Sequence, residues 1–233
     1  MKYFFLTFII GSTFFYPTQN YHLENNSKLN KFCKNDIKTF GRDYFPLELK
    51  KHLIYSSSFG DLDLKISKEN NVHLFSYDSD KFKYRQKLFI SDKGLFVNET
   101  YQKIKLLLFI TKEGNYVYEK PLLRIPFPIE IGQEWTWSGN EFVNDEIRSV
   151  SVKGKASNFE KINTPAGSFD ALKVETTLET SSGSKNVLTE WYAKDLGMIK
   201  MNISIEGGGI LGFARDILGY GTIEIELKEI LDL

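Results

Sequence analysis

Four segments of the chain alternate apolar and polar residues with period two. Leu62, Leu64 and Ile66 alternate with Asp61, Asp63, Lys65 and Ser67, and Val150, Val152, Gly154 and Ala156 with Ser149, Ser151, Lys153 and Lys155. Ile199, Met201, Ile203 and Ile205 alternate with Lys200, Asn202, Ser204 and Glu206, and Ile223, Ile225 and Leu227 with Glu224, Glu226 and Lys228. This pattern predicts antiparallel strands with one dry face. Turn signals fall between apolar segments at Lys68-Glu69-Asn70-Asn71, Asp92-Lys93-Gly94, Glu113-Gly114-Asn115, Pro165-Ala166-Gly167 and Ser182-Gly183. The phase slips between Phe169-Ala171 and Leu172-Val174, which predicts a bulge there. Leu106 to Ile110 is apolar at every position and predicts a central strand covered on both faces.

One segment follows a different period. Leu29, Phe32, Cys33, Ile37 and Phe40 form a helical stripe, with Ser27 as N-cap and Gly41 as the residue after the C-cap. They predict a helix over 28–40 that covers one face or open end of a sheet.

The chain also repeats itself. Phe45-Pro46-Leu47-Glu48-Leu49 is answered 82 positions later by Phe127-Pro128-Ile129-Glu130-Ile131, with Leu53 and Tyr55 falling on Trp135 and Trp137. Leu88 to Phe96 matches Trp191 to Ile199 at an offset of 103. Two blocks in the same order predict a duplicated β-meander with about 21 extra residues in the second copy. Pro121, Pro126 and Pro128 mark the crossover between copies. The expected fold is mostly β: one curved sheet or flattened barrel with a single N-terminal covering helix. The expected boundaries are a signal peptide at 1–19, a leader and helix at 20–43, and a single β domain at 44–233 with halves near 44–125 and 126–233.

Composition narrows the partners. The 233 residues carry 30 basic and 30 acidic side chains, so there is no basic surplus for nucleic acid. Lys2 followed by an apolar run from Tyr3 to Tyr16 reads as a secretory signal, too short to span a bilayer. Cleavage near Gln19 would leave an exported chain, periplasmic or outer-membrane-associated, with no transmembrane span. The single Cys33 has no intramolecular partner, and Asn30-Lys31-Phe32 before it lacks the small residues of a lipid-attachment site. No lipid anchor is expected.

Tyr44-Phe45-Pro46-Leu47, the run Phe127 to Trp137, Thr164-Pro165-Ala166-Gly167-Ser168-Phe169 and Glu190 to Lys200 carry a family likeness. In this combination the chain resembles exported bacterial proteins of unknown function labelled TapB-like. That group is similar to envelope β-sheet folds that include the lipoprotein carriers of the Lol system. The resemblance implies a β fold, turn positions at Gly132 and Gly197, and no known catalytic residue.

Candidate chemistry is sparse. Glycine-flanked Ile210, Leu211, Phe213, Ile217 and Leu218 are candidates for a lid or contact loop, with a short helix over a sheet edge as the simpler alternative. Trp135, Trp137, Trp191 and Tyr192 are candidate cavity aromatics, with plain core packing as the default. Glu130, Glu134, Glu190 and Asp195 have no spacing that pairs them for acid–base work, and Glu48 matching Glu130 points to a structural role near the Phe-Pro turn. His22, His52 and His73 lie far apart and predict neither a metal site nor a triad. The reading is a non-catalytic protein without cofactor or metal. It acts as an interaction or assembly module with an envelope partner, or alternatively carries a lipid or other apolar molecule between sheet and helix.

Overall fold

Period-two alternation produces strands, and almost every strand pairs with its neighbours in sequence. The structure is a computed structural model that describes residues 39–107, 110–207 and 222–232. Among these the strands are β1 (Thr39–Phe40), β2 (Lys51–Ser57), β3 (Leu62–Glu69), β4 (Val72–Asp78), β5 (Phe82–Ser91), β6 (Gly94–Leu107) and β7 (Ile110–Pro126). They continue with β8 (Ile129–Glu130), β9 (Glu134–Val143), β10 (Glu146–Thr164), β11 (Gly167–Thr180), β12 (Ser184–Ala193), β13 (Gly197–Gly207) and β14 (Thr222–Asp232). Twelve of them form a closed antiparallel barrel, β2 to β7 followed by β9 to β14. Closure comes from β14 pairing with β2, from Ile225 opposite Ser57 to Asp232 opposite Lys51. The tiny sheet β1–β8 stands apart from this ring.

The expected curved sheet or flattened barrel is therefore a closed barrel, and several local expectations change with it. The segment 28–38 lies outside the described residues. Thr39 and Phe40, expected as the helix end, form a strand against Ile129 and Glu130. Gly41 opens a 3-10 turn at Arg42–Tyr44 instead of closing a helix. Leu107 pairs with Ile110, so the run 106–110 ends one strand and starts the next; it is not a central strand. Gly114 and Asn115 stand within β7 opposite Gln102 and Tyr101, because the ladder partner overrides their turn preference. The slip assigned to Phe169–Val174 falls on the partner strand, between Ala156 and Asn158. Pro121 also sits inside β7, between Val117 and Leu122, where the pairing with β6 is interrupted.

The matched blocks fall on equivalent strands. Leu53 and Tyr55 lie on β2 and their counterparts Trp135 and Trp137 on β9, the first strand of each run of six. The second block forms the β5–β6 turn in one run and the β12–β13 turn in the other, again the same ordinal strands. The added length in the second run sits largely in one hairpin. Its β10 and β11 have 19 and 14 residues where β3 and β4 have 8 and 7.

The repeated blocks also dock on each other. Asp195 N–H, in the β12–β13 turn, donates to the Asp43 carbonyl at 2.7 Å. Phe127 N–H donates to the Lys93 carbonyl in the β5–β6 turn at 3.1 Å. Each Phe-Pro segment thus holds the Asp-x-Gly turn of the other half. Phe45 completes the contact, 5.4 Å from Phe127 and 4.7 Å from Tyr192, and with Phe40, Tyr44 and Phe159 these rings close one rim of the barrel. We call it the lower rim; the hairpin turns at 58–61, 79–81, 144–145 and 181–183 mark the upper one.

Most inward positions are apolar or aromatic: Leu53, Tyr55, Leu62, Val152, Leu172, Val174, Ile225 and Leu227 are all buried. Outward positions are charged and meet in register. Lys87 reaches Glu99 at 2.6 Å, Lys103 reaches Glu113 at 2.8 Å and Lys155 reaches Glu134 at 2.8 Å, each across a ladder pair. Exposed pairs of this kind contribute little to stability, because water screens them. Their arrangement matters more, because an apolar interior under a charged exterior is the inverse of a membrane-spanning barrel. No helix among the described residues is long and apolar enough to cross a membrane.

A glycine on β10 makes the aromatic lining possible. Gly154 stands opposite Trp135, whose indole covers it so closely that an added Cβ would lie 2.2 Å from the ring. Gly154→Ala is expected to cost about 1–3 kcal/mol through overpacking. A urea melt of the variant would show it; an unchanged midpoint would mean the indole has room to move.

Candidate functional site

Twelve strands enclose more space than an eight-stranded barrel, whose inward side chains fill it. Here the inward tyrosines and phenylalanines leave three adjoining chambers along the axis, of about 80, 110 and 70 Å³ from upper to lower. The upper and middle chambers share Thr100, Gln102, Tyr118, Leu178 and Asn186 in their walls. The middle and lower ones share Tyr77, Tyr84, Gln86, Arg124 and Met201.

The middle chamber is mainly apolar, walled by Leu122, Val152, Leu178, Leu188, Ile203 and Ile225. Polarity gathers at its two ends. At the lower end the Arg124 guanidinium bonds the Glu190 carboxylate, which is 1 % exposed, and faces the Tyr192 hydroxyl at 3.4 Å. Burial pulls the Arg124 pKa down, but Glu190 together with Tyr192 and Tyr84 more than offsets it, and the group stays ionised. The pair is positioned by β7 and β12, which lie on different arcs of the ring.

At the upper end Glu141 on β9 and Arg148 on β10 line one chamber with Tyr116, Thr180, Ser182 and Ser184. Burial pushes the Glu141 carboxyl up to about 7, and the positive Arg148 pulls it partly back. Arg148 itself donates twice to Glu146 Oε2, at 3.0 and 2.6 Å. Desolvation holds the Tyr77, Tyr118 and Tyr192 hydroxyls far above the usual tyrosine range and Tyr84 at about 12. All four are neutral donors at working pH.

The structure separates the residues that the sequence grouped. Of the four candidate aromatics, Tyr192 lines a chamber. Trp135 packs on Gly154, and Trp137 donates its indole N–H to the Pro121 carbonyl at 3.0 Å where β7 diverges from β9. Trp191 points outward, its ring between Lys173 and Lys200 and its N–H on Glu160 at 2.8 Å. The candidate loop residues Ile210, Leu211, Phe213, Ile217 and Leu218 lie outside the described residues. The carboxylates are not brought together: Glu134 pairs with Lys155 on the outer wall, Glu190 is inside, and Asp195 sits in a turn. Glu48 accepts from Lys68 Nζ at 2.7 Å, a side-chain pair rather than a backbone cap. His52 bonds Asp63, His73 lies 3.6 Å from Glu48, and no metal-ligating cluster occurs among the described residues.

Arg124, Glu141, Tyr84 and Gln86 escape the sequence reading for one reason. They occupy inward positions on strands whose two faces both carry polar side chains, so period two gives no contrast. The signal that could have found them is phase. Gln86 and Tyr84 lie in step with inward Phe82 and Leu88.

Two predictions follow from the buried charges. Glu190→Gln leaves the Arg124 charge unpaired in the interior and is expected to lower stability by about 3–5 kcal/mol, measured by denaturant unfolding. Arg124→Met with Glu190→Leu removes both charges and should recover most of that loss. Glu141 has a raised folded-state pKa, so its contribution is present below its ordinary 4.5 and is lost as pH climbs through about 7. Stability should therefore fall by about 1–3 kcal/mol over that window in the wild type, and the fall should flatten in Glu141→Gln. Identical pH profiles for the two proteins would show that Glu141 titrates normally.

Residues 134–208 match the DUF3108-like family model. This stretch runs from β9 through β13 and includes Glu141, Arg148 and Glu190, while Arg124 lies before it. Among solved structures, the chain is similar to that of a candidate lipoprotein from Parabacteroides distasonis, at 12% identity over 80% of this chain and 97% of the other, with a TM-score of 0.37. That likeness is too distant to carry a functional argument. No curated protein matches the chain.

Proposed function

We propose that this chain is an exported, non-catalytic envelope protein that holds a small apolar molecule in the lumen of its barrel. The observation that carries this reading is the run of three adjoining chambers, mainly apolar in the middle and lower ones, with an ion pair where those two meet and a polar upper chamber. The ligand space lies within the ring of strands, not between a sheet and a helix. Arg124 and Glu190 neutralise each other, which suits holding a ligand more than moving a proton. A charged outer wall suits an aqueous compartment, and the signal-like N-terminus supports export. The likeness to TapB-like proteins and Lol-type carriers belongs to this proposal and adds analogy only.

A second reading, an interaction or assembly module, has its own observation. Val117, Phe142 and Ile147 are 40%, 44% and 67% exposed and sit in register across β7, β9 and β10. Such a row of apolar side chains on a charged wall is a contact surface for an envelope partner.

Native mass spectrometry of the mature chain, purified gently from its own secretory route, separates the two. A bound apolar molecule gives a reproducible extra mass that disappears in organic solvent. The variant Leu188→Trp fills the middle chamber and should lose that mass and the uptake of Nile red, with its melting temperature held within about 8 °C. A clean unliganded mass together with no Nile red uptake would rule out the lumen and leave the apolar row.

A further inference from the structure

Each arginine lining the lumen is already bonded to a carboxylate, and this restricts what the lumen can hold. The lower chamber contains Arg124 and Glu190. The upper chamber contains Arg148, bonded to Glu146, and Glu141, whose carboxyl is kept partly protonated near neutral pH by burial. Neither end offers a free guanidinium to a ligand. We infer that the lumen selects an uncharged, elongated amphiphile, with an apolar middle and hydrogen-bonding groups at its ends; this rests on the lumen-binding reading above.

A carboxylate entering the lower chamber would find the one guanidinium already bonded to Glu190 and would place a second negative charge beside that buried carboxylate. An ammonium group would meet Arg124 at the lower end and Arg148 at the upper. Either ion would also lose its hydration in a lumen whose middle is mainly apolar. An amide or hydroxyl avoids both penalties. The tyrosine hydroxyls of Tyr84 and Tyr118 stay protonated there and offer neutral partners.

Asn186 adds a second, independent observation. Its amide lies at the junction of the upper and middle chambers, and its Oδ1 is shielded from solvent with no hydrogen-bond partner. A buried acceptor left unpaired is costly, and rotation of the amide would bring it to a ligand N–H or O–H. Octanoate carries no such donor, whereas octanamide does.

The test is displacement of Nile red from the full mature chain by octanamide, octanoate and octylammonium, probes that share one tail and differ in charge. Octanamide should displace the dye with a Kd at least roughly tenfold below that of either ion. In Glu190→Gln the lower end gains a net positive charge, and the preference should move toward octanoate by roughly tenfold. Should that variant not fold, Asn186→Leu replaces it: octanamide affinity should drop at least about fivefold, with Nile red uptake retained. Octanoate or octylammonium binding the wild type as tightly as octanamide would overturn charge selection and leave lumen binding standing. A chain that takes up neither Nile red nor octanamide would overturn lumen binding, and the selection with it.

Discussion

Pairing of the last strand with the first long one is the contact on which the rest of the molecule depends. When β14 hydrogen-bonds to β2, the ring closes and its circumference is fixed at twelve strands. A ring of that size encloses more volume than aliphatic side chains can fill. The chain's 15% aromatic content answers this geometry. Tyr55, Tyr77, Tyr84 and Phe82 all point inward, and Gly154 yields its place to the indole of Trp135. What they do not fill is the lumen.

The lower rim shows how the repeated sequence serves the closed ring. Two hairpin turns and two Phe-Pro segments recur in the chain, and in space each segment holds the turn of the opposite half. Asp43 reaches Asp195, and Phe127 reaches Lys93. The apolar rings that follow stack over the barrel opening, with Phe45 between Phe127 and Tyr192. The Asp43–Asp195 contact ties the segment leading into β2 to the β12–β13 turn, and the Phe127–Lys93 contact extends the β6–β7 ladder. Together they also seal the end of the lumen where the buried ion pair lies.

That ion pair is poorly suited to be a stability device. Taking Arg124 and Glu190 out of water offsets most of their attraction, and apolar residues of similar volume often serve as well. A lumen that only needed filling would be simplest with apolar groups at those positions. Arginines bonded to carboxylates at each end, with neutral tyrosines between them, instead create a space that is polar without a free cation. The proposed preference for uncharged amphiphiles follows from that arrangement.

The sequence by itself determined the strands and much of their inward phase. Alternation at Leu62–Ile66 or Ile223–Leu227 reports a dry face wherever the strand lies, because successive side chains point to opposite sides of a sheet. It did not determine the turns near 106–115. There Gly114 and Asn115 carry local turn preference, and the register with Tyr101 and Gln102 overrides it. Nor did it reveal the site. Arg124 and Glu190 are 66 residues apart and meet only because the ring closes. Alternation is a local property of neighbouring residues, whereas the lumen is made by side chains from opposite arcs of the wall, and only tertiary structure decides which of them face each other.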